Sequence, residues 1–546
     1  MNNDLFKKNL NALQRFDSLF ISLLNEKITY ITYKSLKSSS GDIIPVFIDS
    51  DHALHSLVDP HREAKRIINT LTDEGFIVVL GMGGAYLIEA ALERKETSFV
   101  LVIDYNIDGI SELLCFKDYT KIFNDPRFHI LIDADDELIG QFILNHYKPA
   151  LYGSLSTLLL KSRTNSDIEK FNNAVNAIEQ TIKTISQDYS VQAYFGTVWF
   201  SNIIRNLIYT NFDYAPHPLI KHAAITAAGP SLNFQISEIR ERREEFFLLA
   251  TDTSLPCLIL ENIYPDAVVS IDCQHVGYHH FMSGLPETTD LFLDLASPPL
   301  IASQSLKPYF FSGNHPLTGY INKFWRSVPE IDTSGGNITY SSIALAEKLG
   351  AETIELFGAD FSYPKGLTYA KGSYVHPYFE KKQNRTCPLE SLNSTFLYRT
   401  PLIKKNIHTS WYYENASLSF YREKLEAKTK TSDFKLIHKQ GWGAPIKISS
   451  KSSAELLQTK QQENLFKYGK CQINAADFLA DYRKDILSLP VSGIYNEKEK
   501  NIFTTLLPAA AALRRRSPEL NTENLLEKTK EYCIKEIDKV LSIYTH

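Results

Sequence analysis

The chain is poor in the features that mark several special classes of protein. Its six cysteines (Cys115, Cys257, Cys273, Cys387, Cys471 and Cys533) are scattered, and no two stand at C-x-x-C spacing. That argues against a disulfide framework or a zinc site and reads as reduced thiols. No apolar run is long enough to cross a bilayer, and the opening MNNDLFKKNL lacks the apolar core of a signal peptide. A cytoplasmic protein with no membrane span is the expectation. Neither charge sign dominates: 58 Lys and Arg face 63 Asp and Glu, a formal net charge of −5. Nucleic acid is therefore not expected as the main partner. There is no internal repeat, and the 15 histidines are dispersed without metal-ligand spacing.

What is present is a soluble globular composition, 44% hydrophobic and 22% charged, over 546 residues. That length predicts two to four domains. The stretch His222–Asn233, HAAITAAGPSLN, organises the rest. Ala223–Ala227 reads as a buried parallel strand, Ala228-Gly229-Pro230-Ser231 as a tight turn, and the segment after it as a helix. Backbone N–H groups pointing outward and unpaired from such a turn would bind phosphate without a basic side chain. An ordinary strand-to-helix turn is the plainer reading.

Upstream, Leu5, Leu10, Leu13 and Phe16 share a helix face, strands are expected at Ile28–Tyr33 and Ile43–Asp49, and Asp59-Pro60 starts a helix. A second glycine turn, Gly81-Met82-Gly83-Gly84, follows the strand Phe76–Leu80 and precedes a helix from Ala85. The strand Phe99–Ile103 then ends in Asp104, the acid that meets ribose hydroxyls in dinucleotide or S-adenosylmethionine sites. Tyr86 stands where the third glycine of G-x-G-x-x-G belongs, so a structural layer is the first expectation and a ligand site the second. His129–Asp133 and a helix Asp135–Tyr147 complete this unit. Residues 151–215 read as long helices, Leu158–Leu160 included.

Six strands are expected in the centre: Ala223–Ala227, Phe246–Ala250, Ala267–Ile271, Leu291–Leu295, Pro308–Phe311 and Thr353–Phe357. Their carboxyl ends carry Gly229-Pro230-Ser231, Asp252-Thr253, Asp272, Ser312-Gly313-Asn314-His315 and Gly358-Ala359-Asp360. In open parallel sheets ligands gather at that edge. Thr333-Ser334-Gly335-Gly336-Asn337 precedes a helix Ile338–Leu349 and offers hydroxyls, an amide and close backbone approach, with Asn337 also a natural N-cap. Asp360–Tyr369 forms a loop rich in groups able to hydrogen-bond a leaving phosphate. Residues 381–450 read as irregular, with Trp411–Tyr413 on a strand or lid. Helices are expected at Ala454–Tyr468, Ala475–Leu487, Glu497–Arg515 and Asn521–Tyr544. The fold class is α/β: two Rossmann-like parallel-sheet domains (1–150 and 216–400) joined by a helical connector (151–215), then a helical C-terminal domain (401–546).

Hydroxyls, an amide and carboxylates with few basic groups suit a nucleoside monophosphate leaving group. A triphosphate would want Mg²⁺ and a cationic clamp, and Asp252, Asp272 and Asp360 leave Mg²⁺ open.

Ala223 to about Gly372 resembles the central domain of the bacterial motility accessory factors, flagellin-modifying proteins whose family also includes an archaeal pterin pyrophosphokinase. The resemblance rests on AGPSLN (Ala228–Asn233), Asp252-Thr253, PDAVVSID (Pro265–Asp272), SGGNITYSSIALAEKLG (Ser334–Gly350) and GADFSY (Gly358–Tyr363). HSLVDPHREA (His55–Ala64) and LGMGGAY (Leu80–Tyr86) extend it upstream. The central domain is also similar to bacterial sialyltransferases that use CMP-activated sugar acids, through Thr333-Ser334-Gly335 and Gly358-Ala359-Asp360-Phe361. These resemblances imply a flagellin O-glycosyltransferase moving a nonulosonic acid from CMP to Ser or Thr, with no cofactor required. Gly229, Pro230, Ser231 and Thr333–Asn337 (Gly335 and Gly336 included) would hold CMP, and Asp252, Thr253 and Asp272 the sugar or nucleoside. Tyr363 and Tyr369 would stabilise the leaving phosphate, with Asp360 or His376, the nearest downstream histidine, as catalytic partners. Ala228 stands where those sialyltransferases keep asparagine. The rival expectations are an ATP- and Mg²⁺-dependent diphosphokinase acting on a small heterocyclic alcohol, and a flagellin-binding scaffold that keeps a catalytically dead nucleotide fold.

Overall fold

The computed structural model describes residues 3–16, 24, 31–72, 74–210, 214, 216–407, 410–448, 465–471, 473–492 and 495–544. The chain divides into two compact units, Met1–Tyr194 with Ala510–Leu526, and Phe195–Ala509 with Glu527–His546.

In the first unit, β1 (Tyr33–Lys37) and β2 (Ile43–Phe47) pair antiparallel. A second sheet takes β3 (Phe76–Leu80), β4 (Phe99–Asp104), β5 (Phe128–Ile132) and β6 (Leu155–Leu159) in the order β5-β4-β3-β6, all parallel. The runs FIVVL and FVLVID are buried at every position, because helices cover both sheet faces. β6 corrects the helical reading of Leu158–Leu160. As a half-exposed edge strand, LSTLL has no continuous apolar run to announce it, and leucine is itself a strong helix former. The strand expected at Ile28–Tyr33 is observed from Tyr33 onward, and residues 28–30 lie outside the described residues.

In the second unit seven parallel strands form one sheet. They are β7 (His222–Thr226), β8 (Phe247–Thr251), β9 (Ala267–Ser270), β10 (Asp290–Asp294), β11 (Tyr309–Phe311), β12 (Thr353–Phe357) and an edge strand at Lys435–His438. Three more, β13 (Tyr363–Pro364), β14 (Ile403–Ile407) and β15 (Ser410–Glu414), make an antiparallel sheet, so the edge strand is β16. The large sheet runs β11-β10-β9-β8-β7-β12-β16. Alternate residues of each strand enter different cores: Ala224, Leu248, Val268 and Leu291 on one face, Ile225, Leu249, Val269 and Phe292 on the other. The first of these cores also contains Phe478, Leu479, Tyr482, Leu506, Ile537 and Val540 from the C-terminal helices.

The six central strands stand within a residue or so of their expected places. Residues 381–450 are not irregular: helices Leu389–Leu397 and Ala416–Thr431 and strands β14, β15 and β16 fill them. Lys-rich, polar composition on exposed helices and edge strands hides their periodicity. Of the helix expected at Ala454–Tyr468, residues 454–464 lie outside the described residues, and 465–468 are not helical. Helices Ala475–Ser488, Glu497–Arg516 and Thr522–Tyr544 match expectation.

Candidate functional site

Strand order reverses at β7, with β8 to β11 on one side and β12 and β16 on the other. The crevice of such a sheet opens at the carboxyl ends beside that reversal. Here the turn Gly229–Ser231 meets Asp360. Ser231 donates its backbone N–H to Asp360 Oδ2 (2.8 Å) and its hydroxyl to Oδ1, while Gly229 N–H donates to the Gly358 carbonyl (2.9 Å). Leu232 and Asn233 donate back to Gly229 and Pro230. The N–H groups expected to point outward are therefore taken up inside the protein, and the turn is not an open phosphate cradle. Asp360 is 4% exposed, and burial pushes its pKa up to about 6 despite the Ser231 and Gly443 donors. Trp442 N–H donates to Ser231 Oγ (2.8 Å), so a Gly441-Trp442-Gly443 segment lies against this turn. Asp360 thus ties the Gly229–Ser231 turn to the Gly441–Gly443 segment.

Along the same edge the acids differ in how far they are engaged. Asp252 is buried and accepts from Thr253 N–H (2.6 Å) and Ser270 Oγ (2.6 Å). Thr253 Oγ1 lies 3.1 Å from Thr251 Oγ1. Asp294 accepts from Ala296 N–H (2.7 Å) and Gly313 N–H (2.9 Å), with His315 Nε2 at 3.5 Å. Asp272 is half-buried and accepts from Gln274 N–H (2.9 Å); burial and the nearby Asp252 charge push its pKa up. The strand-end loops are braced by Asn202, whose amide donates to the Cys273 (3.0 Å) and Ala296 (2.8 Å) carbonyls, and by Asn206 on Leu295 (2.9 Å) and Ser297 (2.7 Å).

A cluster of tyrosines faces these acids. Tyr369 packs edge-on against Tyr374, ring centroids 6.0 Å apart. Burial raises its pKa, and Tyr374, Tyr363, Arg399 and Asp252 all act on it electrostatically. Tyr374 is raised likewise by burial, with Arg399, Asp252 and Asp272 in reach. Both hydroxyls therefore stay protonated and able to donate. Tyr363 is buried on β13, opposite Tyr413. His280, 6% exposed, stands edge-on to Tyr374 at 4.5 Å and 90°. Its Nδ1 is buried without a hydrogen-bond partner, and its ring lies within electrostatic reach of Asp272. Tyr374, His280, Arg399, Asn202 and Asn206 escaped sequence reasoning. The edge loops lie far apart in the chain, and nothing local in any of them pairs a histidine with a tyrosine about ninety positions on. His376 is the second residue of the helix Val375–Lys382, and its ring has no hydrogen bond among the described residues.

At β11 and beyond, Asn337 caps the helix Ile338–Lys348 by accepting from Tyr340 N–H (3.0 Å). Its amide donates to Gly335 O (3.1 Å). Ser334 N–H donates to Asp332 Oδ1 (2.9 Å), and Gly336 takes φ +70°, where a side chain would strain the backbone. Gly335 lies against the Tyr340 ring, too close for any Cβ. Thr333 Oγ1 is 3.4 Å from where a Gly313 Cβ would stand, so a bare Gly313 leaves room between Asp294 and Thr333.

The glycine turn of the first unit is filled from within. Asp104 accepts from Met82 N–H (2.7 Å) and from Arg163 Nε (3.0 Å), and the Asp104 and Arg163 side chains are each 2% exposed. His55 Nε2 accepts from Gly84 N–H (2.7 Å), and burial lowers the ring's pKa to about 3, holding it neutral. An added Cβ on Gly81 would stand 2.8 Å from Arg163 Cγ, and one on Gly83 2.6 Å from His55 Nε2. Arg163 thus stands against Asp104, where a bound nucleotide's ribose hydroxyls would meet the acid. Two concavities, about 850 Å³ beside Tyr152 and Arg514 and about 520 Å³ beside His222 and Glu245, open at the amino ends of strands, away from the clustered side chains. Among the described residues no three His, Cys, Asp or Glu side chains are grouped to hold a metal ion, and no helix is long and apolar enough to cross a membrane.

Residues 200–366 match the family model described as 6-hydroxymethylpterin diphosphokinase MptE-like. An uncharacterised protein of Treponema pallidum (strain Nichols) is 29% identical over 158 residues, 28% of this chain and 55% of that protein, so the match spans about half its length. Another from the same organism is 30% identical over 164 residues, 30% of this chain and 78% of that protein. The MAf glycosyltransferase structure from Magnetospirillum magneticum AMB-1 superposes with a TM-score of 0.55 at 12% identity, covering 100% of this chain and 95% of that one. The architecture is thus that of the latter fold.

Proposed function

We propose that this chain, which belongs to one family with the second of those Treponema pallidum proteins, is a glycosyltransferase acting from a nucleotide-activated donor at the carboxyl edge of β7–β11. In its specific form the donor is a CMP-activated nonulosonic acid and the acceptor a Ser or Thr hydroxyl of flagellin, in a cytoplasmic step preceding flagellum assembly. The observation that carries the reading is the Tyr369–Tyr374 pair, with Tyr363 and Arg399 in reach, facing Asp252 and Asp272. Protonated phenols and one guanidinium suit a departing nucleoside monophosphate, whose charge grows in the transition state and needs donors placed in advance. Asp272, the less engaged acid, would orient sugar or ribose hydroxyls, and Thr333 beside Gly313 would contact the nucleoside. Leaving-group charge met by tyrosine and arginine needs no metal under this reading. The overall likeness to a glycosyltransferase structure supports it.

The test begins with thermal stabilisation by CMP, CMP-nonulosonate, and ATP with Mg²⁺, followed by transfer to flagellin. Saturating ligand at about a hundred times its Kd adds roughly 2.7 kcal/mol. Tyr369→Phe should lower kcat by about 10²-fold while the CMP shift is kept, as expected for a donor that acts on developing charge. Equal loss of both would count against that role. The match to the diphosphokinase family model favours one alternative, pyrophosphoryl transfer from ATP. Stabilisation only by ATP with Mg²⁺, and release of AMP, would select it. Flagellin binding without transfer would leave the scaffold.

A further inference from the structure

We infer that His280 is the base that takes the acceptor hydroxyl's proton, a role resting on the transferase reading above. The five other histidines of this edge are placed differently: His279, its neighbour, has Nδ1 3.2 Å from Met282 Sδ and packs on Tyr378 rather than on Tyr374. His315 stands 3.5 Å from Asp294 and packs on Trp199, and His438 Nε2 lies 3.3 Å from the Ala359 carbonyl. His275 is exposed, and among the described residues His376 has no bond linking it to the tyrosine cluster. His280 combines burial with an unpartnered ring nitrogen beside Tyr374 and the Asp272 charge. A buried polar atom without a partner costs about 1–3 kcal/mol. Such a cost is relieved when a bound hydroxyl supplies the missing hydrogen bond. The contact with Tyr374 puts the base next to the group assigned to the leaving phosphate, so a hydroxyl donor and a proton acceptor stand side by side.

The acceptor O–H bond breaks and its proton passes to the free ring nitrogen of His280. The oxygen bonds the anomeric carbon as the bond from that carbon to the phosphate oxygen breaks. The electron pair leaves on the nucleoside monophosphate, where Tyr369 and Tyr374 donate to it. The imidazolium is held by the Asp272 carboxylate until water takes its proton. No electrons are gained or lost.

The experiment uses the full chain, CMP-nonulosonate and flagellin. His280→Gln should lower kcat by about 100-fold or more, with donor KM changed by no more than about threefold. His280→Ala should regain part of that loss on adding imidazole, a rescue that a packing role would not produce. Where His280→Gln does not fold, judged by its melting transition, His280→Asn takes its place. Wild type without transfer from any CMP sugar defeats the transferase reading and this role with it. Wild type active, with His280→Gln at wild-type kcat or His280→Ala deaf to imidazole, defeats the role of His280 alone. Loss of kcat in His376→Ala without loss in His280→Gln would move the base to that helix.

Discussion

Asp360 holds Ser231 through two donors and Gly443 through a third, yet burial pushes its pKa up to about 6, from the ordinary 3.8. The sign of the consequence follows from linkage. Between about pH 4 and pH 6 the native chain holds a proton that the unfolded chain has released. The group's contribution to stability is therefore largest below that window and declines as pH rises through it. Asp360→Asn does not titrate, so the stability gap between wild type and Asp360→Asn should be larger at pH 4.5 than at pH 7 by on the order of 2 kcal/mol. Urea unfolding of both proteins at the two pH values measures it, and a gap that shrinks at pH 4.5 would show that burial does not govern this carboxyl. The aspartate itself was visible in the sequence. Its partner was not, because Ser231 lies 129 positions away and only the adjacency of β7 and β12 brings the two together.

At the scale of elements, legibility followed burial. The six central strands were readable because helices cover both faces of the sheet and every inward position must be apolar. Strand β6 and strand β16 were not, since an edge strand with one open side keeps lysines and serines, as KLIH and LSTLL show. The helix Ala416–Thr431 was missed for the same reason, with Leu425 and Thr429 as its only buried side chains. Helix crossings leave subtler marks. Gly196, on the helix Ile168–Asn206, faces the backbone of Pro508, and an added Cβ would overlap the Pro508 carbonyl. Backbone cannot swing aside as a side chain can. Gly196→Ala should therefore destabilise the second unit by about 2–3 kcal/mol although alanine favours helix. A lowered urea midpoint checks it, whereas a raised midpoint would mean that the crossing yields to the methyl group.

For the molecule as a whole, two parallel sheets each present a glycine turn, and the proposed function places the ligand at the carboxyl edge of the second. In the first unit Arg163 and His55 already occupy the turn, and the Asp104–Arg163 pair is buried deeply enough that opening it would strand both charges. Breaking one partner of such a pair costs about 3–5 kcal/mol, about as much as a ligand held at millimolar Kd returns. Among the described residues of the second unit, Asp272, Thr333, Tyr369, Tyr374 and His280 keep groups that no protein atom fully engages. Ligand binding should therefore protect backbone amides from hydrogen exchange around 252–254, 272–281, 333–337 and 369–375. Exchange at 81–86 should stay unchanged at saturating CMP-nonulosonate. Ordering a loop raises the free energy of its local opening even where no new contact reaches the amide itself. Protection at 81–86 alone would transfer the donor to the first unit and make Arg163 a displaceable guard of that turn. Protection at neither place, with the protein still stabilised by heat assay, would put the ligand at one of the amino-end concavities, where Arg514 and His222 stand.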